Sequence, residues 1–292
     1  MYNKQDHAGN TPDFWEDNWA AGEFEKAVSF CAVDPLRPLF EKYLRPDSLI
    51  LEGGCGMGHL LAYYSDLGFE VVGLDFAVQT LRKLRAKRPE LKVCGGDVSH
   101  LPFRDKVFDL YYSGGVVEHF QGGADESLQE AVRVLKDDGI FLVSVPYYSP
   151  LRRVLRPIKE GWIVTNRVEE DLNEPFQDRK FFQYLYRPNE FEKMLAASGL
   201  VAIERQGYSV LWGLDEIPFI RVVGSPQPSI SDVTTNKSVE PSPETIALSS
   251  HASLLKRLLV SEDDSIPLLG LGVKVMRWAA ANMMMYVCKK NQ

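Results

Sequence analysis

Residues Leu49 to Leu61 read LILEGGCGMGHLL. An apolar run closes on Glu52, glycines stand at 53, 54, 56 and 58, and a second apolar run begins at Leu60. SLILE is short and apolar up to its final acid, as expected of a parallel strand covered on both faces. HLLAYYSDLG, which follows, reads as a helix stopped at Gly68. Strand, glycine turn and helix together make the nucleotide-binding unit of doubly wound sheets, because glycine permits the tight turn and lets main chain approach a ligand closely.

The alternation continues outward from this unit. FEVVGLD, LKVCGGD, VFDLYYS and IFLVSVP read as strands. Between them FAVQTLRKLRAKRPE reads as a helix with a basic outer face. ADESLQEAVRVLKDDG reads as a helix with Leu128, Ala131, Val132 and Leu135 on one stripe. Later come FFQYLY, the helix PNEFEKMLAASG, the strand LVAIERQGYSV and a final strand, MMMYVCKK. Strands separated by helices predict a doubly wound, mostly parallel α/β sheet of seven strands.

Four segments are expected: an N-terminal helical cap (1–34), a core (35–210) with a lid insert at 147–183, a second insert (211–281), and a last core strand (282–292). The cap starts a helix at Thr11-Pro12-Asp13. The core opens with a helix whose Leu36, Leu39, Phe40 and Tyr43 share a face. Residues 224–250 are rich in Ser, Thr and Pro and predict a disordered linker. SLLKRLLV and 266–281 predict amphipathic helices. Their mixed charge and apolar stripe leave three roles open: capping the pocket, touching a membrane surface or meeting a partner.

The chain of 292 residues is 45% hydrophobic and carries a net charge of −7, an ordinary globular balance that does not favour wrapping nucleic acid. Cys31, Cys55, Cys94 and Cys288 form no CxxC pair, which suggests reduced thiols in a cytoplasmic protein without structural zinc. No signal peptide or transmembrane span is expected, because Lys274 and Arg277 break the apolar tail.

Spacing narrows the ligand. Dehydrogenases use G-x-G-x-x-G, whereas Gly54, Gly56 and Gly58 give G-x-G-x-G, with His59 where the third dehydrogenase glycine belongs. Glu52 at the entrance would repel a pyrophosphate and suits a ligand with an ammonium group.

E-x-G-x-G-x-G at 52–58 resembles motif I of the class I S-adenosylmethionine-dependent methyltransferases, in their type 11-like, small-molecule form. GLDF, GGDVSHLPF, FDLYYSGGVVEHF and VLKDDGIFLVSVP resemble the family's later motifs, in order; the likeness is good over about 35–150 and looser beyond. It implies S-adenosyl-L-methionine as cofactor, and that ligand meets the demand: it has an ammonium, a sulfonium and no phosphate, and its carboxylate suits a helix N-terminus. It also implies that Glu52, Gly54, Gly56 and Gly58 hold the amino-acid end. Asp75, roughly 20 residues after the loop, would bind the ribose. Phe76 would cover one face of the adenine, Asp97 and Val98 would contact its edge, and Ser113 would lie beside the methyl donor. The last strand of the family's sheet runs antiparallel.

A hydroxyl acceptor needs a base. His119, at the carboxyl edge after the fourth strand, is the leading candidate, with Glu118 orienting it or binding substrate. VVEHF also resembles the E-x-x-E-H motif of metal-assisted methyltransferases, but Gly115 stands where the first acid belongs, so no metal is expected. Trp15 and Trp19 are placed over the donor pocket. Tyr147, Tyr148, Arg152, Arg153, Arg156 and Lys159 either recognise an anionic or aromatic acceptor or form a solvated basic helix. The expected function is methyl transfer to a small-molecule acceptor, most readily on oxygen, with nitrogen and carbon open. The alternatives are an NAD(P)-dependent oxidoreductase and a non-catalytic binding module. No nucleic acid partner is expected.

Overall fold

The computed structural model describes residues 11–19, 24–155, 168–170, 181–215, 262 and 267–291. The predicted linker 224–250, the helix SLLKRLLV, Arg156 and Lys159, and most of the 147–183 insert lie outside the described residues.

Seven strands form one sheet: β1 (Leu49–Gly53), β2 (Glu70–Asp75), β3 (Lys92–Gly95), β4 (Phe108–Gly114), β5 (Leu135–Pro146), β8 (Leu200–Tyr208) and β9 (Met283–Lys290). Their order is β3-β2-β1-β4-β5-β9-β8. The pairs β1–β2, β1–β4, β2–β3 and β4–β5 are parallel. The final strand, β9, runs antiparallel to both neighbours, β5 and β8. Among the described residues the two remaining strands, β6 (Val168–Glu170) and β7 (Phe181–Tyr184), pair with each other and not with the main sheet.

Helices α1 (Pro12–Trp19), α2 (Phe24–Phe30) and α3 (Arg37–Tyr43) precede the sheet. Within it run α4 (His59–Asp66), α5 (Val78–Lys87), α6 (Asp125–Val134), α7 (Pro150–Leu155), α8 (Pro188–Ala197), α9 (Val210–Asp215) and α10 (Pro267–Ala280).

Period-two alternation sends successive strand residues into two separate cores. Leu51, Tyr111, Phe141 and Tyr286 pack with Leu128 and Ala131 of α6 and Phe191 of α8. Ile50, Leu110, Leu142 and Met285 pack with Phe24, Leu39, Phe40, Leu61 and Leu84 on the opposite face. Both faces are therefore dry, and this is why the strands read as continuous apolar runs. Because the helices satisfy the faces, the chemistry is left to the strand ends.

One boundary differs from the periodic reading. The helix before β5 ends at Val134, and Leu135, assigned by its stripe to the helix, begins the strand opposite Phe108. The next pair is Leu110 with Ile140, so the KDDG turn bulges from the strand and Lys136 bonds Asp109 across the gap at 2.9 Å.

Candidate active site

The glycine loop is built against the end of β2. The amides of Gly54 and Cys55 both donate to the Leu74 carbonyl, at 2.7 and 3.0 Å. Gly54, Gly56 and Gly58 all have positive φ (76°, 49° and 67°), where a side chain is strained. A Cβ on Gly54 would also stand 2.3 Å from Val116 Cγ2, so the loop and the segment after β4 meet without room for a methyl group. Cys55 turns inward and packs against Gly73; its thiol is buried and pushed far up, so it is inert.

Two acids flank this loop. Glu52 is 7% exposed, and its Oε2 accepts from the amide of Leu61, in the first turn of α4, at 2.9 Å. The helix start expected to receive a ligand carboxylate thus has one of its amides taken by the protein's own acid. Burial, opposed by that bond, pushes the Glu52 carboxyl up to about 8. Asp75 accepts from Gly56 N through Oδ2 (2.7 Å) and from Ala77 N through Oδ1 (2.8 Å). Each of its oxygens keeps a second lone pair for a hydroxyl donor. Desolvation raises Asp75 as well.

The remaining predicted cofactor residues are distributed unevenly. Phe76 is exposed beside Asp75. Asp97 is exposed after β3 and closes an Asx turn, its Oδ1 accepting from the amide and hydroxyl of Ser99 at 2.9 and 2.8 Å. The Val98 side chain belongs to the core with Leu74 and Leu101. Ser113 is wholly buried in β4.

Across the loop, Val117–His119 form one 3₁₀ turn after β4. His119 Nδ1 donates to the Phe182 carbonyl at 2.9 Å, and Nε2 lies 3.9 Å from Glu118 Oε1. Helix α1 roofs this edge. Trp15 stands edge-on to His119 with ring centroids 5.0 Å apart, Phe14 meets Phe182, and Glu16 accepts from Gln79 N at the start of α5. Burial lowers His119 to about 4, so its imidazole is neutral at physiological pH. The same burial raises Glu118, 1% exposed, to about 8. Glu118 Oε2 has no hydrogen-bond partner among the described residues.

Sequence reading passed over Tyr208 and Ser144. Tyr208, at the end of β8, donates to Ser144 Oγ at 3.0 Å, and both sit toward the carboxyl edge of the sheet. The signal was present: Ser144 is the one polar residue in IFLVSVP. Their meeting depends on β9 lying between the two strands. By contrast, the aromatic–basic segment after β5 is spent on structure. Tyr147 donates to the Trp278 carbonyl, and the buried Arg152 bonds the carbonyls of Tyr147 and Asn282. Among the described residues no cluster of His, Cys, Asp and Glu could hold a metal. A cavity of about 360 Å³ lies apart from the glycine loop, lined by Asp34, Arg37, Gln206, Glu262 and Arg277 among others.

Residues 51–143 match the family model described as a methyltransferase domain. A probable S-adenosylmethionine-dependent methyltransferase of Mycolicibacterium smegmatis is 35% identical over 97 residues, covering 33% of this chain and 37% of that protein. A probable tRNA methyltransferase 9B of Bos taurus is 34% identical over 103 residues, covering 35% and 22%. The chain spans about half the length of the first curated relatives it matches. Among solved structures, a Haloferax volcanii methyltransferase in complex with the Trm112 activator covers 95% of this chain and 98% of its own, at 16% identity and a TM-score of 0.56, a likeness of fold. The strand order, the loop with its two acids and the family match agree, and residues 51–143 of this chain are similar to S-adenosylmethionine-dependent methyltransferase domains.

Proposed function

We propose that the protein moves a methyl group from S-adenosyl-L-methionine to a small-molecule acceptor, on oxygen, at the edge between Asp75 and Glu118. The observation that carries this reading is the buried Glu118 carboxyl, with one oxygen unpartnered among the described residues, facing a neutral His119 under the α1 roof.

The residues fit the donor. Glu52, costly to ionise in its dry setting, gains from a cationic amino group. Asp75 offers its remaining lone pairs to the ribose, Phe76 an exposed ring to the base, and Asp97 its carboxylate to the base edge. Glycine at 54, 56 and 58 keeps the path bare. When bound, the cofactor supplies an electrophilic methyl on a sulfonium with a neutral leaving group.

The chain's own part is alignment and the proton. Burial exchanges the roles that sequence suggested for the two acid–base residues. At about 4, His119 is a weak base, whereas Glu118 at about 8 is matched to neutral pH. In this reading the Glu118 carboxylate would take the proton that the acceptor's hydroxyl gives up on methylation. His119, fixed through Nδ1 by Phe182, orients the acceptor. Trp15 and Phe182 exclude water. The aromatic, covered approach favours a small molecule. Since one relative is named for tRNA, a nucleotide acceptor is a tested alternative, not an exclusion.

Titration calorimetry with S-adenosylmethionine and with NADH separates this reading from an oxidoreductase; Glu52 on the Leu61 amide favours the former. Radiolabelled methyl turnover against hydroxylated small molecules, amines and tRNA then assigns the acceptor. Donor binding without turnover on any class would leave a binding module.

A further inference from the structure

Helix α10 carries apolar residues on both its inner and its outer side. Its sheet-facing side consists of Val273, Met276, Arg277 and Ala280, with Arg277 Nε held by Glu262 Oε2 at 2.9 Å. Its outer side carries Leu271, Lys274, Val275 and Trp278, spaced to share one face. Leu271 is 65% exposed, Val275 54% and Trp278 64%. Helix α7 packs beside it and adds Val154, 66% exposed, with exposed Arg153. A water-facing helix ordinarily shows polar residues there.

Charge selects the occupant. The twenty residues of α7 and α10 hold Arg152, Arg153, Lys274 and Arg277 and no acid, in a chain of net charge −7. Arg152 and Arg277 are tied inward, which leaves Arg153 and Lys274 outward. A second copy docked by two-fold symmetry would set these cations against their like. An anionic lipid surface accepts both the cations and the apolar side chains, and tryptophan favours the boundary between them. At fourteen residues α10 spans about 21 Å, too short to cross a bilayer, so it would lie flat. No helix among the described residues is long and apolar enough to cross.

We propose that the joined outer faces of α7 and α10 are a peripheral membrane-binding surface for anionic lipid. The surface is rigidly tied to the carboxyl edge of the sheet through Tyr147, Trp278 and Asn282. The proposal does not depend on which acceptor is methylated.

The test is co-sedimentation of the full chain with vesicles of phosphatidylcholine alone and with one quarter phosphatidylglycerol, at 0.1 and 0.5 M NaCl. Binding is expected only to the anionic vesicles and should weaken in high salt. The paired substitution Leu271→Glu/Trp278→Glu should lower partitioning more than tenfold, and Lys274→Ala about fivefold. Calorimetric donor affinity should be unchanged in both, which shows that the variants are folded. Four results would overturn the proposal: no anionic-vesicle binding at low salt, equal binding to neutral vesicles, indifference to Leu271→Glu/Trp278→Glu, or a dimer in light scattering that those substitutions dissolve.

Discussion

Glu52 Oε2 lies 2.9 Å from the Leu61 amide, so the acid one residue before the end of the first strand also caps the helix that the glycine loop feeds. The bond favours the charged carboxylate but does not offset burial, and the group stays protonated to about pH 8.

A cationic ligand beside Glu52 must favour its charged form. Donor binding at pH 7 is therefore expected to release roughly one proton. The check is calorimetry in two buffers of different ionisation enthalpy. Glu52→Gln should abolish the release and weaken affinity by about 1.5–3 kcal/mol. Proton release that persists in Glu52→Gln would exclude Glu52 as its source.

Asp75 holds two amides and, in the proposed complex, the ribose. Asp75→Ala should lower donor affinity by about 1.5–3 kcal/mol and also lower Tm, because Gly56 N and Ala77 N lose their acceptor. Asp75→Asn keeps an acceptor oxygen and should recover part of the stability. Unchanged donor affinity in Asp75→Ala would contradict the ribose assignment.

Glu118 and His119 give stability opposite slopes in pH. The folded chain retains the Glu118 proton up to about 8, while the unfolded chain gives it up near 4.5, so Glu118 makes stability fall as pH rises between them. His119 binds its proton at about 4 when folded and near 6.5 when unfolded; its contribution is complete above 6.5 and is lost as pH falls toward 4. Urea titrations from pH 4 to 9 should show Glu118→Gln removing its share of the fall in stability between about pH 4.5 and 8. Turnover should rise through about pH 8 in the parent, and Glu118→Gln should abolish that rise. His119→Ala should reduce kcat more than donor affinity.

Gly54→Ala would place a methyl group 2.3 Å from Val116 Cγ2 at a φ of 76°. The expected loss is about 1–3 kcal/mol from backbone strain alone. Val116→Ala in the same chain should restore only the steric part, as thermal unfolding would show.

Much of the fold is legible because each core strand is buried on both faces and each intervening helix carries one stripe. Legibility fails where partners are remote. FFQYLY looks like a strand of the main sheet, yet Phe181–Tyr184 pair with Val168–Glu170, because period two identifies a strand and not its neighbour. Leu135 fits a helical stripe until its pairing with Phe108 claims it. The glycine loop and its acids are local in sequence and could be read directly. Tyr208 and Ser144, 64 residues apart, meet only through the register of a strand that lies beyond both. Nothing in α10 alone shows that Arg277 faces inward, since its partner is Glu262.

Strand β9 fills the slot between β5 and β8, which have no direct pairing of their own. A nascent polypeptide that has emerged only as far as residue 282 therefore lacks the strand that joins β5 to β8 and leaves the pairing edges of both open. Synthesis must pass residue 290 before that half of the protein can assemble, so chaperone occupancy should concentrate in this late interval of translation.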